Sequence, residues 1–221
     1  MGNNIDMHLF SDDEAVEPAR IELAEGAVLF RGRALAYEGE ILAQLASIEA
    51  QSPFRHMVTR GGHEISAAMT SCGRMGWVSD RNGYRYEAID PLTGKPWPPM
   101  PASFTKLAVE AASDAGFEGF APDACLINCY VPGAKMGLHQ DSDERFTKAP
   151  IVSVSLGVTA TFQFGGVSRV DSVRRYALRH GDVVVWGGPS RMAYHGIMPV
   201  PPDEHPLVGR RRVNLTFRRA R

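Results

Sequence analysis

The sequence predicts an α+β protein that is mainly β, with two helices near the N-terminus followed by an antiparallel sandwich or jelly roll. Two observations support this fold class. Two apolar stripes at helical spacing lie before residue 123, and short β-branched or alternating runs separated by Gly, Pro and Asp turns follow it. Short strands at near-regular spacing are typical of antiparallel sandwiches and jelly rolls.

The two predicted helices each carry one apolar face. In EGEILAQLASIEAQ the apolar residues run from Ile41 to Ile48 at helical spacing, and in PASFTKLAVEAASDAG they run from Phe104 to Ala115. Pro101 suits the start of the second helix, because its fixed φ matches the helix and it has no N–H to leave unpaired. We interpret both faces as core packing rather than as binding surfaces.

The remaining segments are predicted to be strands, turns or loops. GAVLFRGRAL is predicted to form a short strand before the first helix. Between the helices, a stretch rich in Gly, Arg, Met, Trp and Tyr contains an Asn-Gly turn signal, and the irregular segment PLTGKPWPPMP follows. The strands predicted in the C-terminal half are DACLINCYV, IVSVSLGV, ATFQFGG, VRRYALR, DVVVWGG and RRVNLTFRR.

Length and composition predict one globular domain. The chain has 221 residues, of which 44% are hydrophobic and 22% charged, which is enough for a sizeable core. Residues 1–20 are acidic and aperiodic, so we predict a flexible leader before a single domain over residues 21–221. The sequence has no apolar run of about 18 residues and no basic region followed by an apolar run, so neither a transmembrane helix nor a signal peptide is predicted. We therefore expect a cytoplasmic protein without a membrane partner.

The spacing of the three cysteines is not typical of a metal or redox motif. Cys72, Cys125 and Cys129 include a C-x3-C spacing that fits neither a zinc ribbon nor a thioredoxin motif, so we interpret them as free, buried thiols.

Charge is unevenly distributed along the chain. Residues 1–144 contain 11 Lys and Arg against 21 Asp and Glu, whereas residues 145–221 contain 13 Lys and Arg against 4 Asp and Glu. The basic C-terminal third suits a polyanionic partner, and a solvated Arg-rich surface explains it equally well.

Two histidines and an aspartate have the residue types and the order of a metal site. In GLHQDSDE, His139 and Asp141 point to one face if the chain is extended, and His195 follows a strand and a Gly-Gly-Pro turn. Two histidines and one carboxylate suit a non-haem Fe(II) oxygenase, whereas zinc more often has three histidines, or histidine with cysteine. A polar loop with solvated acids is the alternative interpretation of GLHQDSDE taken alone.

The strand RRVNLTFRR carries a second polar set. Its apolar residues alternate with polar ones from Arg212 to Arg218, and a surface strand with a polar outer face would give the same pattern. If the metal also holds a co-substrate with carboxylates, these two arginines are candidates for binding it, because a guanidinium matches a carboxylate with two hydrogen bonds. Asn128 and Tyr130 share one face of another predicted strand and are available to the same ligand.

Taken together, these motifs resemble the AlkB family of Fe(II)- and 2-oxoglutarate-dependent nucleic-acid dealkylases. The likeness covers roughly residues 50–219 and rests on N-x-Y, PGAKMGLHQD, SVSLG, FQFGG, HGDVVVWGG, YHGI and R-x-N-x-T-x-R in that order. H-x-D alone is a weak signal, whereas the ordered set is specific. The resemblance implies a double-stranded β-helix (jelly-roll) catalytic core over about residues 121–219, with Fe(II) as the metal and 2-oxoglutarate and O2 as co-substrates.

The resemblance also implies roles for the site residues. The implied iron ligands, which form the catalytic centre, are His139, Asp141 and His195. The implied 2-oxoglutarate ligands are Asn128, Tyr130, Arg212, Asn214 and Arg218. Which arginine binds which carboxylate of 2-oxoglutarate stays open.

About residues 50–120 resemble the nucleotide-recognition lid of the family with a supporting helix. The implied substrate contacts are Trp77, stacking on the base, Met69 on the same wall, Tyr84 and Tyr86 near the phosphate backbone, Asp143 at the base edge, and Arg169 beside the substrate. For Glu144 two interpretations stay open, a solvated acid or a partner of the metal-binding residues.

The implied activity is oxidative demethylation of 1-methyladenine and 3-methylcytosine in single-stranded DNA, with release of formaldehyde, succinate and CO2. Double-stranded DNA and RNA are further candidate substrates, and a monomer is expected. Two alternatives are a 2-oxoglutarate oxygenase acting on another substrate and a non-catalytic module that binds damaged DNA. The aromatic residues Trp77 and Tyr84 argue against the first, and the complete metal triad with both arginines argues against the second.

Overall fold

The computed structural model describes residues 20–221, and the leader predicted over residues 1–20 lies outside them apart from Arg20, which begins a strand that the sequence did not predict. The helices are α1 (Glu38–Gln51) and α2 (Ala102–Asp114). The strands are β1 (Arg20–Ala24), β2 (Ala27–Phe30), β3 (Arg55–Val58), β4 (Glu64–Gly73), β5 (Gly76–Asp80), β6 (Gly83–Glu87), β7 (Ala124–Tyr130), β8 (Met136–His139), β9 (Ile151–Gly157), β10 (Ala160–Phe164), β11 (Arg174–Leu178), β12 (Val183–Trp186), β13 (His195–Ile197) and β14 (Arg212–Arg218).

Within residues 20–221 the strands form a large sheet, a small sheet and a separate hairpin. The large sheet has eight strands in the order β1-β2-β12-β9-β14-β7-β4-β3, and the small sheet has four in the order β11-β10-β13-β8. Neighbouring strands in both sheets are antiparallel. Two facing antiparallel sheets with helices on one side confirm the predicted fold class, an α+β protein with a jelly-roll core.

Both faces of the large sheet are covered. One face packs against α1 and α2, and Val213, Leu215 and Phe217 of β14 lie in that contact. The other face packs against the small sheet, where Phe162 meets Trp186 with 6.3 Å between ring centroids. Because β14 is buried along its whole length, the surface-strand interpretation of RRVNLTFRR is wrong, and its polar face points into the protein.

The two helices agree with the sequence prediction. Helix α1 coincides with EGEILAQLASIEAQ and buries Ile41, Leu45 and Ile48, and α2 begins directly after Pro101. Among the described residues, no helix is both long and apolar enough to cross a membrane.

The three cysteines are buried and form no disulfide, as predicted. Cys72 lies opposite Cys125 in the β4–β7 pair. Burial raises the pKa of the Cys125 thiol and of the Cys129 thiol, so both stay protonated at neutral pH.

The β5–β6 hairpin lies where the Asn-Gly signal predicted a turn, and Gly83 adopts a left-handed conformation with φ +107°. A second glycine, Gly76, fixes the position of the hairpin, because a Cβ at this residue would lie 2.2 Å from the Trp97 ring. The Trp97 indole also donates a hydrogen bond of 3.0 Å to the Glu87 carbonyl. Trp97 comes from the irregular segment PLTGKPWPPMP, which thereby supports the strand that carries Trp77.

Candidate active site

The three predicted metal-binding residues meet in the small sheet. His139 ends β8 and His195 begins β13, and the two residues lie opposite each other in the strand pair. The Asp141 carboxylate lies between them, with its oxygens 3.7 Å from Nε2 of His139 and 3.7 Å from Nε2 of His195. One ligand atom from each residue lies within 4.8 Å of the others, so the residues form a compact cluster.

Hydrogen bonds orient both imidazoles for metal binding. The Nδ1 atoms of His139 and His195 lie 2.8 Å and 3.0 Å from the carbonyls of Gly137 and Ala193, which can only accept, so each Nδ1 carries the proton. Each Nε2 therefore presents its lone pair toward Asp141, as a metal ligand requires.

The ionisation states of the cluster also suit a divalent cation. Burial and the neighbouring His139 lower the pKa of His195 to about 4, so its ring is neutral at neutral pH. Burial opposes ionisation of Asp141, but Arg218 and the two histidines outweigh it and hold the pKa of the carboxyl below its usual range. Two imidazoles and one carboxylate are the donor set of Fe(II) oxygenases, and they fit that metal.

An inner cavity of about 60 Å³ lies beside the triad, between the two sheets. Its lining comes from β7, β9, β12 and β14 of the large sheet and from β8, β10 and β13 of the small sheet, and it includes the two histidines. All five residues that the resemblance assigns to 2-oxoglutarate line it, namely Asn128, Tyr130, Arg212, Asn214 and Arg218.

Arg212 has unpartnered hydrogen-bond donors in this cavity. It is 1% exposed, and its Nη2 donates to Ser155 Oγ at 2.9 Å, while Nε and Nη1 have no partner among the described residues. Its guanidinium lies 5.1 Å from the Tyr130 ring centroid. A buried cation with free donors is costly unless an anion pairs with it, so this end of the cavity is built for an anionic ligand.

Arg218 is held differently, at the metal end of the cavity. It donates to the Asp141 carboxylate from Nη2 at 2.6 Å and from Nε at 3.1 Å, and its Nε lies 3.3 Å from the Glu144 carboxylate. Six residues of extended strand separate Arg212 from Arg218, or about 20 Å between their Cα atoms. The two arginines therefore lie at opposite ends of one strand face.

The two asparagines of the set differ in how they are bonded. Asn214 donates to Ser153 Oγ at 2.8 Å and to the Val154 carbonyl at 2.9 Å, so its amide braces the cavity wall. Asn128 is buried and its Oδ1 has no partner among the described residues, although its Nδ2 lies 3.5 Å from Asn214 Oδ1.

A buried charge network lies behind the metal site, and the sequence analysis identified none of its members except Glu144, as one of two interpretations. Glu144 accepts from Arg191 Nη2 at 2.9 Å and from the Tyr86 hydroxyl at 2.5 Å, so its interpretation as a solvated acid is wrong. Arg191 also donates to the main-chain carbonyls of Asp141 at 2.7 Å and Ala149 at 3.0 Å. Nothing in the local sequence around Arg191 marks it, because its partners lie about 40 to 50 residues away in the chain.

Tyr86 belongs to this network and not to the surface. Its side chain is 5% exposed, and burial raises the pKa of its hydroxyl well above the usual range, so it remains a donor to Glu144. The expectation that Tyr86 approaches a phosphate backbone together with Tyr84 therefore needs correction. Tyr84, on the same strand, is 48% exposed.

An outer cavity of about 240 Å³ is lined by His139 and Asp141 of the triad. Met69, Trp77, Tyr84 and Asp143 line it, as the resemblance implied. The Trp77 and Tyr84 rings stack with 5.5 Å between centroids, and the Trp77 indole donates to Asp143 at 2.9 Å. The inner and outer cavities share four lining residues, Leu126, Met136, His139 and Arg218.

Arg169 does not line either cavity. It is exposed on the loop after β10, with its guanidinium 5.7 Å from the Tyr194 ring centroid. The loop is attached near the metal site, because Gln140 Nε2 donates to the Val167 carbonyl at 3.1 Å and to the Met192 carbonyl at 2.6 Å.

Replacing Arg191 by Ala is expected to lower the free energy of unfolding by about 3–5 kcal/mol, because Glu144 loses a buried cation. The measurement is urea denaturation followed by circular dichroism. Arg174→Ala, which changes an exposed arginine on β11, is the matched control and is expected to stay within about 0.5 kcal/mol of the unmodified protein. Equal loss in both variants would contradict a structural role for the network.

A jelly roll that carries two histidines on its small sheet and one carboxylate in the loop after β8 defines a class of protein, the non-haem Fe(II) oxygenases. The sequence profile of the 2OG-Fe(II) oxygenase superfamily matches residues 6–218 of this chain. The alpha-ketoglutarate-dependent dioxygenases AlkB of Escherichia coli K12 and Salmonella typhimurium LT2 are 54% and 53% identical over 97% of this chain and 98% of their own. The chain belongs to the 2OG-Fe(II) oxygenase superfamily and, within it, to the AlkB family.

Structural similarity agrees with this assignment. The structure of OsALKBH1 superposes with a TM-score of 0.80 at 30% identity and covers 91% of this chain and 100% of that one. More distant relatives include an Arabidopsis thaliana protein named as a DNA N(6)-methyladenine demethylase, 38% identical over 44% of this chain and 25% of its own. The cofactors of the family are Fe(II) with 2-oxoglutarate and O2 as co-substrates, and the His139, Asp141 and His195 cluster suits the metal.

Proposed function

We propose that this protein removes methyl groups from 1-methyladenine and 3-methylcytosine in single-stranded DNA by oxidation, releasing formaldehyde, succinate and CO2. The observation that carries the proposal is the outer cavity, which joins a stacked aromatic pair and an acid to the metal triad. A flat base needs stacking surfaces, and a base methylated at these ring nitrogens is a cation. Trp77 attracts a cationic ring through its π face, and Asp143 supplies a negative charge at the same wall.

In this proposal His139, Asp141 and His195 hold the iron, and the inner cavity receives 2-oxoglutarate. Arg218, which already contacts the ligand Asp141, binds the carboxylate nearer the metal. Arg212 binds the distant carboxylate with its unpartnered donors, and Asn128 and Tyr130 lie beside it on the cavity wall. Iron and 2-oxoglutarate supply the oxidising chemistry with O2; the chain binds, orients and shields the reactants.

The proposed substrate preference follows from how a methylated base reaches the outer cavity. A methylated base within a duplex must be flipped out to reach the outer cavity, at a cost that falls when the strand is already single. We therefore propose that single-stranded DNA is preferred over double-stranded DNA, with RNA as a further candidate substrate. We also propose that the protein acts as a monomer, with residues 50–120 as lid and supporting helix and residues 121–219 as catalytic core.

The test is the mass of a single-stranded oligonucleotide carrying one 1-methyladenine after incubation with protein, Fe(II), 2-oxoglutarate and air. We expect the loss of one CH2, absent without 2-oxoglutarate and absent with the His139→Ala variant. Succinate production with an unchanged oligonucleotide would point to the alternative function, an oxygenase acting on another substrate. No succinate and no mass change would refute the enzymatic function.

Trp77→Ala is expected to raise KM for the methylated oligonucleotide about 5-fold or more, because stacking on one aromatic ring stabilises a bound base by about 1–3 kcal/mol. Steady-state kinetics by formaldehyde release measures this change. Trp77→Phe is the matched variant, since it keeps a smaller aromatic face and loses the indole bond to Asp143. A Trp77→Ala enzyme with unchanged KM would exclude stacking on this residue.

A further inference from the structure

A basic and aromatic surface lies next to the active site and is not used by the proposed reaction. It consists of Arg145, Phe146, Lys148 and Arg219, and we call it the Phe146 platform. All four residues are exposed, and Phe146 is a large apolar side chain with 42% of its surface exposed. Within residues 20–221, none of the three cations forms an ion pair.

The aromatic ring of the platform is held by a cation. The Arg219 guanidinium lies 4.6 Å from the Phe146 ring centroid, which is stacking distance. Phe146, Lys148 and Arg219 also line a cleft of about 390 Å³ beside the end of α2, a volume in the range of ligand sites. One acid, Glu118, lines the same cleft and accepts a hydrogen bond of 2.8 Å from Ser113.

Hydrogen bonds of the main chain and of side chains connect the platform to the outer cavity. The Arg145 amide donates to the Ala220 carbonyl at 3.1 Å, next to Arg219. Arg221 donates to the Tyr86 carbonyl at 3.0 Å, and Tyr86 lies opposite Trp77 in the hairpin. Asp143, two residues before Arg145, bonds the Trp77 indole. The platform is therefore adjacent to the aromatic wall where the methylated base is proposed to bind.

We propose that the Phe146 platform is a second nucleotide subsite, which binds the nucleotide next to the methylated one in a single strand. This inference rests on the proposed function. The neighbouring base stacks on Phe146, and Arg145, Lys148 and Arg219 neutralise the adjoining phosphates. Charge complementarity favours a nucleic acid as the occupant, since three cations surround one exposed ring and strand binding combines stacking with phosphate contacts.

The test compares two substrates with the holoenzyme. A methylated oligonucleotide reaches both the outer cavity and the platform, whereas the mononucleotide of 1-methyldeoxyadenosine reaches only the cavity. Phe146→Ala is expected to raise KM for the oligonucleotide about 5-fold or more while leaving the mononucleotide and kcat unchanged, and Phe146→Trp is expected to restore KM. Leu207→Ala, at another exposed apolar residue, is the matched control and is expected to change neither substrate.

Direct binding separates this inference from the proposed function. Fluorescence anisotropy with an unmethylated single strand under anaerobic conditions is expected to give a flatter salt dependence in Lys148→Gln/Arg219→Gln, by about 0.7 in log–log slope for each phosphate that is no longer neutralised. Arg20→Gln, at an exposed arginine of β1, is the control. An oligonucleotide that is demethylated and bound equally by all variants would overturn the subsite and leave the function standing.

Two other outcomes test the proposed function and the nucleotide subsite separately. If the unmodified protein demethylates nothing, the proposed function fails, and a weakened strand affinity of Phe146→Ala would still support a nucleic-acid surface. If polyglutamate competes with the labelled strand as well as unlabelled DNA of equal charge does, the platform binds acidic polypeptides and the nucleotide subsite is wrong.

Discussion

Arg212→Met is expected to lower the affinity for 2-oxoglutarate more than about 100-fold while leaving the apoprotein at least as stable as the unmodified chain. Removing one partner of a buried, hydrogen-bonded charge pair costs about 2–5 kcal/mol of binding free energy. Most of this range corresponds to a loss of affinity of more than about 100-fold. In the apoprotein, by contrast, Arg212 is expected to reduce stability. Its Nε and Nη1 are buried without partners among the described residues, and burial lowers the pKa of the guanidinium. An apolar side chain of similar length removes that cost.

Thermal denaturation with and without 2-oxoglutarate measures both effects. The unmodified protein is expected to melt at a higher temperature with the co-substrate, and Arg212→Met is expected to show no such increase. Arg211→Met is the matched control, since Arg211 is the adjacent residue and forms a partly exposed ion pair with Glu49 at 3.6 Å. An Arg212→Met protein that still gains stability from 2-oxoglutarate would show that Arg212 does not bind it.

Asp141→Asn is expected to abolish turnover and to weaken divalent metal binding more than about 100-fold. Substitutions that only perturb the partners of metal ligands cost about 10- to 100-fold, and this one removes the carboxylate ligand itself. The variant also leaves Arg218 with Glu144 as its remaining acid, so we expect some loss of stability in addition. Isothermal titration of the apoprotein with Mn(II) under anaerobic conditions measures metal affinity without turnover.

Asp143→Asn provides the control for Asp141→Asn, because Asp143 is the next acid in the chain and bonds Trp77 instead of facing the histidines. It is expected to keep full metal affinity and to lose affinity only for the methylated base. Equal metal binding by Asp141→Asn and the unmodified protein would remove Asp141 from the metal site.

The polar face of β14 illustrates how far the sequence could predict the site. Alternation along RRVNLTFRR correctly assigned which side chains share a face, because strand periodicity is a local property. Whether that face met solvent or the interior depended on the small sheet that covers it. The different surroundings of Arg212 and Arg218 likewise depend on tertiary contacts, with Ser155 of β9 for Arg212 and with Asp141 for Arg218, which no local pattern records.

The network around Glu144 marks the limit of sequence reasoning. Its members come from β6, from the loop after β8, from β14 and from the turn before β13, so distant segments must fold before they meet. The three candidate metal-binding residues could be predicted from the sequence, because few residue types bind a metal and the order of these three along the chain is characteristic. For Tyr86 and Arg191 the residue type permits many roles, and only tertiary packing selects one.

The burial of Cys72, Cys125 and Cys129 has a consequence for survival under alkylation stress. Methylating agents attack thiolates, because the thiolate and not the thiol is the nucleophile. All three cysteines of the chain are shielded from solvent, and burial keeps Cys125 and Cys129 protonated. A protein proposed to reverse methylation damage thus presents no exposed cysteine thiolate to the reagents that create its substrates.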